Sequence, residues 1–115
     1  MLLQEIKEIL EAEVFCGAEY LMRNVQSACG SDLMSDVLAF AQDQSVLLTG
    51  LLNPQVIRTA EMMDICCVVF VRGKAPDEQM IKLATEKEIV LMSTQNQMYA
   101  ACGKLYCGGL ANSAG

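Results

Sequence analysis

Ile65-Cys66-Cys67-Val68-Val69-Phe70-Val71 is a run of seven residues without one charged or amide side chain. Successive side chains of a strand point to opposite faces, so a strand made from this run is apolar on both. Both faces then need cover, as in a parallel sheet layered by helices.

The flanking sequence supplies that cover. Asn53-Pro54 opens a helix upstream of the run. Asn accepts a bond from a free N–H of the first turn, and Pro fits a first position that needs no donor. Val56, Ile57, Ala60 and Met63 give this helix its apolar stripe. Downstream, Arg72-Gly73-Lys74 reads as a loop. Pro76-Asp77-Glu78 then opens a second helix, with Met80, Ile81, Leu83 and Ala84 as its stripe. Short strands are expected at Val46-Leu47-Leu48, ending at Thr49-Gly50, and at Ile89-Val90-Leu91-Met92. Thr94-Gln95-Asn96-Gln97 fits a capping box for a last helix reaching about Leu105 or Tyr106, which Cys107-Gly108-Gly109 ends. Strands alternating with helices imply crossover connections and a small parallel sheet.

The first half is less regular. Leu2, Leu3, Ile6, Ile9 and Leu10 recur at helical spacing. Glu13 to Gly17 reads as a short strand or turn, and Tyr20 to Ala28 has room for another. Ser31-Asp32-Leu33-Met34-Ser35-Asp36 is rich in capping residues before a helix from about Ser35 to Ala41. The expected architecture is a single α/β domain over residues 1–110. It has a small parallel sheet of βα repeats in its C-terminal half, with an N-terminal helix and short strands packed on it. Residues 111–115 read as a flexible tail.

Composition narrows the function. The 115 residues carry a net charge of −6, which disfavours phosphate backbones and anionic membrane surfaces. No nucleic-acid or membrane partner is therefore expected. No stretch reaches the length of a membrane span, and the charged start Met1-Leu2-Leu3-Gln4-Glu5 does not suit a signal peptide, so a cytoplasmic location is expected. Histidine is absent, which removes the commonest general base and every triad built on it. No catalytic residue, cofactor or metal is expected. Cys16, Cys29, Cys66, Cys67, Cys102 and Cys107 show no paired metal-ligand spacing and read as reduced structural thiols, with Cys66 and Cys67 buried in the central strand. Asp32 and Asp36 read as helix caps before a cation-binding pair.

Ligands of open parallel sheets bind beyond the carboxyl ends of the strands. Here that edge collects Thr49, Gly50, Asn53, Arg72, Gly73, Lys74 and Thr94. Helix N-termini and two of the chain's eight basic residues meet there, which suits a phosphate or carboxylate. If the chain continued as a strand past Val71, positions 72 and 74 would face one side. Neither G-x-G-x-x-G nor G-x-x-x-x-G-K-[ST] is present. Leu51 and Leu52 put apolar side chains in a loop, a candidate interface, and the Met-rich aliphatic composition of so small a chain favours a homodimer.

Four stretches carry a resemblance. They are Ser31 to Phe40, Leu48-Thr49-Gly50-Leu51-Leu52-Asn53-Pro54-Gln55, Val69-Phe70-Val71-Arg72-Gly73-Lys74 and Leu105-Tyr106. Over about Leu2 to Leu110 the chain resembles the DRTGG domain family. It looks like the short stand-alone members of clostridial-type bacteria, often encoded beside iron-only hydrogenases. Longer relatives lie beside CBS domains in regulated pyrophosphatases or precede a phosphotransacetylase domain. The resemblance implies a compact α/β domain, often dimeric, of regulatory or unknown role, and implies no catalytic residue. The name motif is changed here: Gly50 precedes Leu51-Leu52 in place of Asp-Arg, and Arg72-Gly73-Lys74 stands in place of Thr-Gly-Gly. The resulting expectation is a non-catalytic regulatory or accessory homodimer that binds a small nucleotide- or phosphate-like anion at the sheet's carboxyl edge. The alternative is an adaptor for a redox or hydrogenase system, with a redox enzyme as partner and no small-molecule ligand.

Overall fold

The computed structural model describes residues 1–111, so most of the expected tail lies outside the described residues. The chain runs α1 (Leu3–Leu10), β1 (Glu13–Cys16), β2 (Ser27–Gly30), α2 (Met34–Phe40), β3 (Ser45–Thr49), α3 (Pro54–Met62), β4 (Cys67–Phe70), α4 (Glu78–Glu86), β5 (Val90–Ser93) and α5 (Met98–Cys107). The strands form one sheet in the order β1-β5-β4-β3-β2. β2 to β5 are parallel, and β1 runs antiparallel along the outer side of β5.

The apolar run supplies the middle strand. Cys67 and Val69 face the layer of α1 and α5, where Leu3, Ile6, Leu10, Ala101 and Leu105 pack. Val68 and Phe70 face the layer of α2, α3 and α4, where Val37, Val56, Ile57, Ala60 and Met80 pack. All four strand residues are fully buried. The ordered strand is shorter than the run: Ile65 and Cys66 precede it and Val71 follows it. Cys66 is therefore only half-buried, whereas Cys67 is buried as expected.

Two expectations need correction. The N-terminal strands do not pack on the sheet; they extend it at both edges and make it a mixed sheet of five strands. Each is only four residues long, and Glu13 and Gly30 are exposed. An edge strand needs only partial cover, so its sequence lacks the continuous apolar signal of β4. The turn after β1 depends on Gly17 at φ +83°, where a Cβ would lie 2.8 Å from a methyl of Val90. The second correction concerns Thr94, which does not cap α5. The helix starts after Gln97, with no side-chain cap, and the Thr94 hydroxyl donates instead to the Leu10 carbonyl at 2.7 Å. That bond ties the end of β5 to the end of α1. Asn53 and Asp77 do act as caps, accepting from the N–H of Gln55 at 2.8 Å and of Met80 at 2.9 Å.

Phe70 is the bulkiest side chain at the centre of its layer. Phe70→Ala should lower unfolding free energy by about 3–5 kcal/mol, as a cavity in a packed core does. Met62→Ala, on a side chain 71% exposed, should stay within about 0.5 kcal/mol. Urea unfolding of both variants checks the contrast.

Candidate functional site

β3, β4 and β5 end at Thr49, Phe70 and Ser93, which places their following loops at one edge of the sheet. The loop after β3 is organised by a carboxylate from elsewhere. Asp32, between β2 and α2, accepts from the Gly50 N–H at 2.6 Å and from the Thr49 hydroxyl at 3.1 Å. Thr49 Oγ1 in turn accepts from the Leu51 N–H at 3.1 Å. The backbone donor that an incoming anion would have met at Gly50 is thus already paired with the chain's own carboxylate. Asp32 is neither the cap of α2, which begins after Leu33 without a side-chain cap, nor a helix-face partner of Asp36.

The loop after β4 reverses sharply. Arg72 and Gly73 take φ of +60° and +71°, two left-handed residues in succession. Their N–H groups donate to the carbonyls of Asn96 and Thr94, both at 2.8 Å, which locks this loop to the one after β5. The strand-like continuation expected past Val71 does not occur, so the alternation argument that put Arg72 and Lys74 on one side fails. The Arg72 guanidinium instead lies against Gly50, where any Cβ would strike it. Gly73 is matched by Gln95: a Cβ there would come within 2.7 Å of Oε1. At Gly73 the left-handed backbone favours glycine, whereas at both places the atoms a Cβ would meet are the ends of flexible side chains that can move aside.

The expected site residues therefore divide. Thr49, Gly50, Arg72 and Gly73 meet at this edge, joined by Asp32 and Gln95, which the sequence reading did not place there. Lys74 is exposed on the same loop. Asn53 is occupied as the cap of α3, and Thr94 is buried with its hydroxyl turned inward. Among the described residues the salt bridge is Lys87–Glu61 at 3.4 Å, so the charges of Arg72 and Lys74 are not neutralised by an ion pair. The Arg72 guanidinium and the Asp32 carboxylate both lie against Gly50, a cation and an acceptor on one loop. Leu51 packs against the core, which leaves Leu52, 42% exposed, as the apolar tip of the loop.

A cavity of about 240 Å³ opens at the opposite edge, beside Arg23, Glu61, Asp64, Cys66, Lys87 and Glu88. Its cations are committed: Arg23 donates to the Glu88 carbonyl at 2.6 Å and stacks over the Tyr20 ring, and Lys87 pairs with Glu61. The carboxylates outnumber the cations, so it is a poor place for an anion.

All six cysteines are free. Burial pushes the Cys67 thiol well above its ordinary value, and raises those of Cys16, Cys29, Cys66 and Cys102. Among the described residues no three His, Cys, Asp or Glu side chains are grouped so as to hold a metal ion. Among those residues, too, no helix is long and apolar enough to cross a membrane.

A mixed sheet of this order with interlocked carboxyl-edge loops can be set beside known proteins. Residues 5–106 match the DRTGG domain. The chain belongs to the DRTGG domain family. Its fold is similar to the crystal structure of the CBS and DRTGG domains of the regulatory region of Clostridium perfringens pyrophosphatase complexed with activator, diadenosine tetraphosphate. The TM-score is 0.69 over 90% of this chain, at 14% identity. This DRTGG domain spans 45% of that longer chain. No curated protein matches it.

Two measurements check this geometry. Asp32→Ala should cost about 1.5–3 kcal/mol or more by removing two charge-assisted bonds, while Asp36→Ala on the exposed face of α2 should stay within about 0.5 kcal/mol. Urea unfolding compares them. The thiols give a pH signature. Cys67 holds its proton more tightly folded than unfolded, so its contribution to stability is complete below the unfolded value of 9.0 and is lost as pH rises past it. Unfolding free energy should fall on the alkaline side, and less steeply in Cys67→Ala.

Proposed function

We propose that this DRTGG domain is a non-catalytic regulatory or accessory module of the cytoplasm. It works as a homodimer and binds a small nucleotide- or phosphate-like anion at the carboxyl edge of its sheet. The observation that carries this reading is the Arg72 guanidinium laid across Gly50, with Lys74 two residues on and neither charge neutralised by an ion pair among the described residues. Asp32 favours a nucleotide over bare phosphate. Its carboxylate accepts from Gly50 and Thr49 and can accept from a ribose hydroxyl in the same way, while Arg72 and Lys74 meet the phosphates. The fold-related regulatory region was crystallised with diadenosine tetraphosphate, a ligand that carries both groups. The same edge is poorly equipped for catalysis. The chain has no histidine, the Thr94 hydroxyl is turned inward to the Leu10 carbonyl, and the Thr49 hydroxyl, which donates to Asp32, is itself tied into its loop by the Leu51 N–H.

Calorimetry with adenine nucleotides and with inorganic phosphate tests the proposal. Arg72→Ala should weaken nucleotide binding roughly ten- to a hundredfold, the worth of one charge-assisted bond. Nucleotide should bind more tightly than phosphate. No binding by the parent, or equal binding by parent and variant, would contradict the proposal and leave the domain as a protein-interaction adaptor.

A further inference from the structure

α5 is held to the sheet by Ala101 and Leu105, both buried. Its outward face is apolar. Tyr99 is 92% exposed and Tyr106 is 62% exposed. Cys102 and Gly103 lie between them and line the same shallow surface. The four positions share one stripe of the helix, at i, i+3, i+4 and i+7.

Nothing among the described residues requires glycine at position 103. It sits inside a helix, where glycine costs about 1 kcal/mol relative to alanine. Its backbone is helical, and a Cβ there would have no neighbour within 4 Å among the described residues. By contrast, Gly17, Gly50 and Gly73 each stand where a Cβ would collide. What Gly103 provides is a flat place at which a second helix can come close, near the lower end of the roughly 8–10 Å axial separation of packed helices.

The stripe is also self-complementary. Tyr99-x-x-Cys102-Gly103-x-x-Tyr106 has the same spacing read in either direction. A twofold axis through the midpoint of Cys102 and Gly103 sets Tyr99 of each copy beside Tyr106 of the other, the reciprocal pairing of a symmetric dimer. Next to Tyr106 an apolar hollow of about 150 Å³ opens between α5 and β2, lined by Gly30, Leu48 and Leu105 among others. It can receive an incoming tyrosine ring.

Charge selects the same face. All 14 acidic residues lie at or before Glu88, so β5 and α5 contribute no carboxylate. The charge on α5 is Lys104, which is bonded to Asn96 Oδ1 at 2.8 Å. Two copies of a chain at −6 repel, and α5 itself brings no acid to the contact; the acids in its layer are Glu5 and Glu8 of α1 and Glu11 at the end of that helix. Aromatic side chains bury about 150–250 Å² each, so the exposed parts of the two tyrosines supply roughly 230–390 Å² per copy. That is about a third to a half of a standard partner area near 800 Å², with the helix flanks supplying the rest.

We infer that α5 is the contact surface between two copies of this domain, packed antiparallel about Cys102 and Gly103. The inference rests on the homodimer reading above and says where the copies meet. Light scattering across a dilution series of the full chain tests it, with two variants. Gly103→Leu should be at least as stable as the parent in urea, because leucine is the better helix former. Its dimer-to-monomer midpoint should rise roughly tenfold or more. Tyr99→Asp, on a side chain that touches little in one chain, should shift the midpoint the same way with an unchanged circular dichroism spectrum, and it decides the matter if Gly103→Leu fails to fold. A monomeric parent would overturn the homodimer reading itself. A dimeric parent whose midpoint neither variant moves would overturn the α5 surface alone.

Discussion

Every other element depends on covering β4 from both sides. Cys67, Val68, Val69 and Phe70 alternate between two helical layers, and neither face can be left to water. Burial of apolar surface at about 25 cal/mol per Å² favours the arrangement. It also fixes the order of the sheet: β4 must have a neighbour on each side, so β3 and β5 flank it and the weaker strands take the edges. Because the connections are parallel, the loops after β3, β4 and β5 all emerge at one edge. The site is a consequence of that placement.

At that edge the chain uses its own groups to satisfy most of what an open parallel sheet leaves unpaired. Asp32 takes the Gly50 N–H, Thr94 and Asn96 carbonyls take the N–H groups of Gly73 and Arg72, and Asn53 and Asp77 cap their helices. An unpaired backbone donor out of water costs free energy, so this satisfaction is structural first. It leaves the cationic ends of Arg72 and Lys74 as the site's offering, with Asp32 beside Arg72 across Gly50.

The legible parts were those whose signals are local. The apolar run, whose middle forms β4, the Asn53-Pro54 start and the helix opened at Pro76-Asp77-Glu78 each act within a few residues, and all three elements are present in the fold. β1 and β2 were not legible as sheet strands, because four-residue edge strands with exposed Glu13 and Gly30 carry little period-two pattern. Asp32 was misread because its partners are 17 and 18 residues away, and only the parallel pairing of β2 with β3 brings them together. Recognising Gly30 as a strand end would have placed Asp32 at the same edge. Arg72 was misread because left-handed backbone is uncommon for residues other than glycine, and its cause, the Asn96 carbonyl, lies on a different loop. Thr94 satisfied a local capping pattern, but its hydroxyl is drawn to Leu10, 84 residues earlier.

The central claim is that this edge, rather than the cavity at the other end of the strands, receives a small anion. Amide chemical shifts followed by NMR during titration with an adenine nucleotide test it residue by residue. The expected result is that the largest changes fall on Asp32, Gly50 and Arg72 to Lys74, with Arg23, Lys87 and Glu88 unmoved. Changes centred on those last three residues, or no change at any concentration, would contradict it.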